Sequence, residues 1–487
     1  MEPRASVRQI AGDLARGDCS SVELAEQTLD RAARLNESLN CLITVDEDRA
    51  LAAARRADDR LRNGSATPLT GIPIAHKDVF CIDGWRTTCG SRMLADFTAP
   101  YTATAIQRLI DAGTVTVGKT NMDEFAMGSS NETSYFGPVA NPWRHETVPG
   151  GSSGGSAACV AAGITPLATG TDTGGSIRQP AAFCGVTGLK PTYGSVSRYG
   201  MIAFASSLDQ GGVFGGSVDD VALALSYMAG FDPRDSTSSE REDAWLAGVP
   251  RHGVGELEEP LTVGLPKEFF AHISDGAQHL DGVRRALERL GFRFREVSLP
   301  HTDAAVAAYY IVAGAEASTN LSRYDGVRFG HRCSGPASLE DLYERSRSEG
   351  FGAEVKRRIL TGTYALSVGY FDAYYVKAQR IRRLVREDFL RAFETVDLLL
   401  APVAPGTAFP RNAFAEDPVA MYSQDVFTIP VSLAGLPALS VPCGLHDGLP
   451  VGAQFIARHF DEERLLKTAA AYQCATDWHR QRPALPP

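Results

Sequence analysis

Residues 150–194 read GGSSGGSAACVAAGITPLATGTDTGGSIRQPAAFCGVTGLKPTYG, and this stretch decides the fold. Turns of glycine, serine and threonine alternate in it with short apolar runs, of which Ser156 to Ala162 predicts a helix of small residues. Ser152 and Ser176 each lie in a glycine-rich turn, where the backbone can approach a substrate closely and offer unpaired N–H donors. The stretch therefore favours a serine-based site built on tight turns.

A serine nucleophile needs a general base, and the sequence limits which residue can be that base for Ser176. The Thr-Gly-Gly-Ser turn supplies amides that can hold a developing oxyanion. No histidine stands out as a partner, which leaves a lysine, and a lysine is a general base only when burial keeps it neutral. Lys77 lies in GIPIAHKDVF, residues 71–80, which predicts a buried strand. A single lysine in a strand is usually paired or snorkelling, but the three contexts occurring together in order favour one site.

Two shorter patterns compete with this interpretation. GTVTVGKT, residues 113–120, satisfies the phosphate-loop pattern, but its alternating Thr and Val predict a strand, and the segment Thr104–Ala112 before it predicts a helix. That order is inverted for a phosphate loop, so a helix-to-strand turn is favoured. GGSSG, residues 150–154, satisfies the nucleophile-elbow pattern, yet Pro149 and the charged residues before it make a poor central strand.

The whole chain predicts an α/β protein, organised as a single domain over residues 1–487. Residues 1–65 predict helices, with a capping box at Ser20 and Glu23, and residues 66–230 contain the turns described above. The polar run 232–243 predicts an exposed loop or insertion over 231–260, and 261–487 completes the sheet. In that last part, strands are expected at 261–265, 293–297, 398–400, 438–441 and 453–457, and helices at 281–290 and 372–393, the latter with a solvated basic face.

The composition is that of an ordinary globular protein and excludes several classes. With 487 residues, 44 % hydrophobic and 22 % charged, the chain does not have the composition of a disordered protein, a collagen or a coiled coil. Its formal charge of −10 argues against gripping a nucleic-acid backbone without a partner. Its nine cysteines form no CxxC pair, so we expect reduced thiols, with neither a structural disulfide nor a zinc site.

Two long uncharged stretches, 147–171 and 426–445, do not predict membrane spans. The first is dominated by glycine, serine and alanine, and the second carries three prolines that would break a spanning helix repeatedly. The first residues contain no apolar run of signal-peptide length. We therefore expect a soluble, cytoplasmic protein with no membrane partner.

With these residues in place, the sequence resembles the amidase signature family. The resemblance rests on residues 150–194 and on Lys77 in PIAHKDVF, and it runs from about the first helix to the last strand. It implies an amidase-signature fold, a large mixed β-sheet core covered by helices on both faces. It also implies a Ser-cis-Ser-Lys triad, with Ser176 as the acyl-forming nucleophile, Ser152 as the proton relay beside a cis peptide bond, and Lys77 as the neutral base.

The same resemblance implies residues for the oxyanion and for the substrate. The oxyanion hole would be formed by the amides near Thr173, Gly174 and Gly175. The α-carboxylate and α-ammonium of glutamine need opposite charges, and the matching positions are Arg358 and Asp425, with Tyr309 lining the site. Without the resemblance, the arginine pair in KRRI would be interpreted as a basic helix face.

Further segments resemble, within this family, the amidase subunits of tRNA-dependent amidotransferases. They are TNMDEFAMGSS (120–130), VSRYGMIAFASSLDQ (196–210), AEASTNLSRYDGVRFG (315–330), EVKRRILTGTYALSVGYFDAYYVKAQRIRR (354–383) and FTIPVSLAGLPALSVPCG (427–444). This resemblance implies that glutamine is hydrolysed and that ammonia passes to partner subunits B and C, which hold misacylated tRNA, use ATP and magnesium, and complete Gln-tRNA or Asn-tRNA. The chain itself would bind no cofactor and no metal. A stand-alone amidase for another small amide and a non-catalytic assembly subunit stay open as alternatives.

Overall fold

The computed structural model describes residues 6–241, 243–271, 273 and 276–485. Over these residues the chain forms one mixed sheet of eleven strands together with seventeen α-helices. Parts of the predicted organisation lie outside the described residues: 1–5 of the N-terminal helical part, 242 of the polar loop, and 272, 274–275 and 486–487 of the C-terminal part.

The bounds of these elements follow the chain. The strands are β1 (Leu42–Val45), β2 (Pro73–Lys77), β3 (Val115–Thr120), β4 (Leu167–Asp172), β5 (Thr187–Lys190), β6 (Gln210–Gly215), β7 (Thr262–Pro266), β8 (Arg293–Val297), β9 (Leu398–Pro402), β10 (Ala438–His446) and β11 (Leu449–Ile456). The helices are α1 (Val7–Arg16), α2 (Ser21–Leu39), α3 (Glu47–Arg62), α4 (Thr104–Asp111), α5 (Gly154–Ala161), α6 (Arg178–Cys184), α7 (Val218–Met228), α8 (Ala244–His252), α9 (Lys267–Phe270), α10 (Ala277–Arg289), α11 (Ala305–Asn320), α12 (Leu339–Gly350), α13 (Ala353–Leu366), α14 (Lys377–Ala392), α15 (Pro418–Tyr422), α16 (Ile429–Ala434) and α17 (Glu462–Cys474).

The strand order joins the two halves of the chain in one sheet. The order is β1-β3-β2-β4-β6-β5-β10-β11-β9-β7-β8. Strand β2 pairs in parallel with β3 and β4, and β7 pairs in parallel with β8 and β9, whereas the remaining ladders are antiparallel. The halves meet where β5 pairs with β10, with Lys190 opposite Ala438. Strands of the C-terminal part therefore form the second half of the sheet.

Helices cover both faces of this sheet. Along β9, Leu398 and Leu400 pack into one hydrophobic core, and Leu399 and Ala401 into the other, because successive side chains of a strand point to opposite faces. The first core contains residues of α7, α10 and α17, and the second contains residues of α11, α14 and α16. The expected fold, a large mixed sheet with helices on both faces, is confirmed.

Two local sequence patterns in the N-terminal part form the structures predicted for them. Ser20 accepts a hydrogen bond from the amide of Glu23, and Glu23 accepts one from the amide of Ser20, which completes the predicted capping box of α2. The phosphate-loop-like run 113–120 forms a turn and the buried strand β3 after α4. Lys119, at the end of this run, is fully buried and forms an ion pair with Asp78 at 2.8 Å. Its ammonium group is therefore not available to bind a nucleotide.

The prediction that 231–260 is an exposed loop is wrong in part. The segment contains helix α8, and Asp232 and Asp235 at its start are buried. Asp232 accepts a hydrogen bond from the Ser197 hydroxyl at 2.7 Å, and Asp235 accepts one from the amide of Arg198 at 2.7 Å. Both aspartates are buried because they accept hydrogen bonds that anchor the loop. A prediction of exposure from polarity alone therefore fails for them.

The two uncharged stretches fold into the sheet and its helices. Residues 426–445 supply α16 and most of β10, and 147–171 supplies α5 and part of β4. In the part of the chain that the structure describes, no helix combines the length and apolar character needed to cross a bilayer. All nine cysteines lie within the described residues and are free, and eight of them are at least partly buried.

A close crossing of α11 and α13 positions the later part of the site. Gly314 of α11 faces Gly362 of α13, and a Cβ built on Gly362 would lie 1.9 Å from the Gly314 carbonyl oxygen. Only glycine allows this approach, because any side chain would meet backbone. The crossing holds α13 against α11, and these two helices carry Arg358 and Tyr309.

We expect Gly362→Ala to destabilise the protein by about 1–3 kcal/mol, because the added methyl group forces the two backbones apart. The matched control is Gly282→Ala in α10, where an added Cβ has no heavy atom within 4 Å and alanine should stabilise the helix by about 0.5–1 kcal/mol. Urea unfolding followed by circular dichroism measures both changes. Equal stability of Gly362→Ala and the wild type would contradict the close crossing.

Candidate active site

Lys77 ends strand β2 and is fully buried. Its Nζ lies 2.8 Å from each of three hydroxyl oxygens, those of Ser152, Ser153 and Thr171. Burial lowers the pKa of Lys77 to about 7, although the carboxylates of Asp123 and other residues act in the opposite direction. The lysine is therefore poised to exist in its neutral form near neutral pH.

The hydroxyl hydrogens around Lys77 restrict how the neutral amine can be hydrogen-bonded. Ser153 donates its single hydrogen to the Thr171 carbonyl at 3.1 Å, so towards Lys77 it can only accept. Among the described residues, the Ser152 hydroxyl has no acceptor within reach other than this amine. When Lys77 is neutral, Ser152 can thus donate to the lone pair of the amine, which is the arrangement a proton relay requires.

The three residues of the predicted triad differ in how far they are exposed to solvent. Lys77 and Ser152 are fully buried, whereas Ser176 is 7 % exposed and, within the described chain, its hydroxyl has no hydrogen-bond partner. The Gly151–Ser152 peptide bond is cis, as the family resemblance implies. The amide of Ser153 donates to the Ser176 carbonyl at 3.3 Å, which ties the two serine turns together. Ser176 is thus the member of the triad that a substrate can reach.

A buried ion pair holds the turn that carries Ser176. Asp172 at the end of β4 accepts hydrogen bonds from the Arg178 guanidinium at 2.9 Å and from the amide of Ile177 at 3.2 Å. Burial alone would raise the pKa of Asp172, but the charge and hydrogen bonds of Arg178 outweigh burial and keep the pKa below its usual value. The residues between these two, 173–177, are therefore clamped at both ends.

The turn also offers backbone amides that can donate hydrogen bonds to a substrate. Within the described residues, the amides of Gly174 and Gly175 have no hydrogen-bond partner, as an oxyanion hole requires. A Cβ on Gly174 would lie 2.8 Å from the Tyr309 ring, and one on Gly175 would lie 3.2 Å from Asp425 Oδ1. Tyr309 therefore packs against Gly174, and Thr428 and Asp425 pack against Gly175.

Asp425 is a buried carboxylate with one oxygen left unpaired. Ser129 donates a hydrogen bond to Asp425 Oδ2, whereas Oδ1 is buried and has no partner among the described residues. Burial raises the pKa of Asp425 to about 7. A buried oxygen without a donor is costly, so its position beside Gly175 fits a bound cation such as an ammonium group.

Arg358 is a buried cation in an aromatic enclosure. Its Nε donates to Glu354 at 2.6 Å, and its guanidinium lies 4.4 Å from the Tyr310 ring centroid and 4.9 Å from that of Tyr422. Tyr422 also donates to Glu354 at 2.9 Å. Because the ion pair uses Nε, the two terminal amino groups are the ones suited to a substrate carboxylate.

A cavity of about 230 Å³ connects the surroundings of these two charges. Its lining includes Ser129, Glu354, Arg358 and Tyr422, which are the partners of Asp425 and Arg358 together with Arg358 itself. Asp425 itself does not line this cavity, but the charge of Arg358 acts to lower the pKa of Asp425, so the two predicted substrate-binding charges lie near each other although they are 67 residues apart in sequence. Among the described residues, no cluster of three or more His, Cys, Asp or Glu side chains is suited to hold a metal ion.

Several residues of this site were not singled out from the sequence. They are Ser129, Ser153, Thr171, Glu354, Tyr310 and Tyr422. Glu354 carries the clearest local signal, because it precedes Arg358 by four residues on one helix face. Ser129 carries none, since its contact with Asp425 spans most of the chain.

Fold and site together define the class of protein. The family model described as Amidase matches residues 23–466, so the chain belongs to the amidase family, the amidase signature enzymes. It is 58 % identical over 485 residues to the A subunit of the glutamyl-tRNA(Gln) amidotransferase from Thioalkalivibrio sulfidiphilus, covering 98 % of each chain.

Solved structures are similar over the same length. The A subunit of the glutamyl-tRNA(Gln) amidotransferase from Thermotoga maritima shares 38 % identity, with a TM-score of 0.78, covering 96 % of this chain and 94 % of its own. The peptide amidase from Stenotrophomonas maltophilia shares 32 % identity, with a TM-score of 0.82, covering 99 % of this chain and 98 % of its own. The resemblance found in the sequence is thereby confirmed.

We expect the maximal rate of amide hydrolysis to depend on a group with a pKa of about 7 that must be deprotonated. If neutral Lys77 is the base, as the sequence predicts, the rate should fall about tenfold per pH unit below that value and level off above it. Saturating substrate keeps the ionisation of Asp425 in the free enzyme out of the profile. Single-turnover acylation between about pH 5.5 and about pH 9 measures this.

The control variant is Thr171→Val, which removes one of the three oxygens that accept hydrogen bonds from protonated Lys77. Loss of that acceptor disfavours the charged amine and lowers the pKa of Lys77. The pH below which the rate begins to fall should therefore decrease by about one unit. A rate that does not change with pH, or a limb that Thr171→Val leaves in place, would show that Lys77 is not the base.

Proposed function

We propose that the chain is the glutaminase subunit of a tRNA-dependent amidotransferase. The observation that carries this proposal is the pairing of a buried cation, Arg358, with a buried carboxylate, Asp425, whose Oδ1 has no partner, beside the Ser176 turn. An amino-acid amide carries an α-carboxylate and an α-ammonium group, and these two side chains match both charges. An uncharged amide would leave both side chains without a use.

The predicted triad supplies the groups that acylation needs. Ser176 Oγ attacks the side-chain carbonyl carbon of glutamine, and its proton passes through Ser152 to the lone pair of Lys77. The carbonyl oxygen becomes an oxyanion, which the free amides of Gly174 and Gly175 stabilise. The C–N bond then breaks as Lys77 returns its proton through Ser152 to the departing nitrogen, so ammonia leaves and a glutamyl ester stays on Ser176.

Deacylation uses the same groups in reverse. Water attacks the ester carbonyl and gives its proton through Ser152 to Lys77, and the second tetrahedral intermediate occupies the same pair of amides. The ester bond breaks, Ser176 regains its proton, and glutamate is released. Each proton taken up by Lys77 is returned within the same half-reaction, so the triad needs no external base.

The proposal includes a division of labour with other subunits. Subunits B and C would hold the misacylated tRNA, use ATP and magnesium, and convert Glu-tRNA(Gln) to Gln-tRNA(Gln), Asp-tRNA(Asn) to Asn-tRNA(Asn), or both. The charge of −10 supports this arrangement, because the chain does not have to hold tRNA alone. We propose that the chain works in the cytoplasm, together with the tRNA-binding partners.

Two other functions are less well supported. A stand-alone amidase for another small amide has no need for Asp425 with a free buried oxygen, although the similar peptide amidase shows that the fold serves other amides. A non-catalytic assembly subunit has no need for a lysine held by three hydroxyl groups.

The proposed nucleophile and donor are tested together with an electrophilic glutamine analogue. We expect one adduct, on Ser176, which competing glutamine suppresses, and no adduct in Ser176→Ala, whose assembly with partners is unchanged. Intact mass and peptide mapping identify the modified residue. Labelling of Ser176 that glutamine cannot suppress would favour a different amide, and continued ammonia release by Ser176→Ala would refute the mechanism.

We expect Asp425→Asn to raise KM for glutamine by about tenfold to a hundredfold, because the α-ammonium loses its ion pair. Ser129 can still donate to the new amide oxygen, so the fold is kept. The control substrate is the des-amino analogue of glutamine, whose hydrolysis should change by less than about twofold. Ammonia release measures both reactions. A variant that still prefers glutamine over the analogue would remove Asp425 from substrate recognition.

A further inference from the structure

The end of α13 and the turn that follows it expose an unusual number of large apolar side chains. We call them the aromatic surface: Leu360, Tyr364, Val368, Tyr370, Phe371 and Tyr374, each of which is 40 % exposed or more. Their rings are clustered, with 4.4 Å between the centroids of Tyr364 and Tyr370 and 5.9 Å between those of Tyr370 and Tyr374. Contiguous exposed apolar side chains of this kind, rich in tyrosine, are typical of protein interfaces.

A second feature, the basic groove, lies further along the same helical segment. It has a volume of about 410 Å³ and is lined by Gln379, Arg382, Arg383, Arg386 and His459. Arg382 is held by the Leu433 carbonyl and by Ser207, and Arg383 pairs with Glu387. Within the described chain, Arg386 forms no hydrogen bond or ion pair, so its charge is available to a ligand.

The aromatic surface and the basic groove form one continuous strip. A π-helical turn, Asp372–Val376, leads directly into α14. Gln379, Arg382 and Arg386 follow at intervals of three or four residues on one face of α14. Phe371 and Tyr375 continue this face through side-chain contacts. Phe371 and Tyr375 stack with centroids 5.4 Å apart, and Gln379 donates to the Tyr375 hydroxyl at 3.1 Å. From Tyr374 to Arg386 the strip is about 18 Å long at about 1.5 Å per residue.

We propose that this strip docks an amphipathic segment of a partner polypeptide, with apolar side chains on the aromatic surface and carboxylates in the basic groove. Charge complementarity selects the occupant, because Arg386 is an unpaired cation on a chain with a net charge of −10. The inference rests on the proposed function, which requires partner subunits, and it identifies where one of them binds.

A second copy of the chain is a poorer occupant. In a two-fold contact centred on the strip, the basic groove of one copy faces the aromatic surface of the other, so the cations of both copies stay unpaired. RNA is also a poorer occupant, because backbone recognition needs several free cations, and two of the three arginines in the groove are already engaged.

Part of the strip lies on α13, the helix that carries Arg358. Leu360 and Tyr364 follow Arg358 on α13 by two and six residues, so an occupant of the aromatic surface contacts the helix that binds the α-carboxylate. A partner that binds here can therefore influence how α13 presents Arg358 to glutamine.

The test uses the chain co-expressed with its own subunits B and C, and the dissociation constant is measured by diluting the purified complex in an analytical ultracentrifuge. We expect the double variant Tyr364→Ser/Tyr374→Ser to weaken assembly by about tenfold or more. Arg386→Glu should weaken assembly by about tenfold and reduce its dependence on salt between about 0.05 and about 0.3 M.

Matched substitutions elsewhere serve as controls. Tyr343 on α12 is 38 % exposed, close to the 41 % of Tyr374, and Arg285 on α10 is an exposed arginine outside the strip. Tyr343→Ser and Arg285→Glu should leave the dissociation constant within about twofold of the wild type. Melting temperature and labelling of Ser176 establish that every variant is folded.

The outcomes separate this inference from the proposed function. Wild-type assembly that the strip variants leave unchanged overturns the inference alone. A wild-type chain that does not assemble with B and C overturns the proposed function and the inference with it. A homodimer of the isolated chain that the strip variants abolish assigns the strip to a second copy. Binding of a tRNA transcript by the isolated chain, lost in the same variants, assigns it to RNA, and both results overturn the inference.

Discussion

The ion pair between Asp172 and Arg178 is the interaction on which the site depends. Both side chains are fully buried, and Arg178 also donates to Gln454 of β11 and Ser432 of α16. Removing one partner of a buried pair leaves an uncompensated charge, at a cost of about 3–5 kcal/mol. The pair therefore fixes the turn that carries the nucleophile and at the same time fastens it to the C-terminal half of the sheet.

The chemistry of Lys77 is set by a balance between burial and hydroxyl groups. Burial alone favours the neutral amine, and the surrounding carboxylates favour the charged one. Three hydroxyl oxygens can accept from the ammonium, and Ser152 can also donate to the amine, so the site accommodates both protonation states without moving. The proposed mechanism requires Lys77 to gain and lose a proton in each half-reaction, which this arrangement allows.

Much of this architecture could be predicted from the sequence, and the exceptions have physical reasons. The glycine turns around Ser152 and Ser176 and the strand that carries Lys77 are local patterns, so they could be identified directly. The places of Arg358 and Asp425 came only from family resemblance, because tertiary packing brings them together. Ser129 was missed for the same reason, and the burial of Asp232 and Asp235 was missed because polarity does not distinguish a solvated aspartate from one that anchors a loop.

The pairing of β5 with β10 has a consequence for how such enzymes diversify. The N-terminal half carries the proposed nucleophile, relay, base and oxyanion amides, whereas the C-terminal half carries the residues proposed to hold the amino-acid part of the substrate. Substitutions in the second half can change which amide is accepted while the reacting groups stay as they are. One set of reacting groups can thus serve enzymes with different substrates, whose specificity is set by residues distant in sequence from the proposed nucleophile.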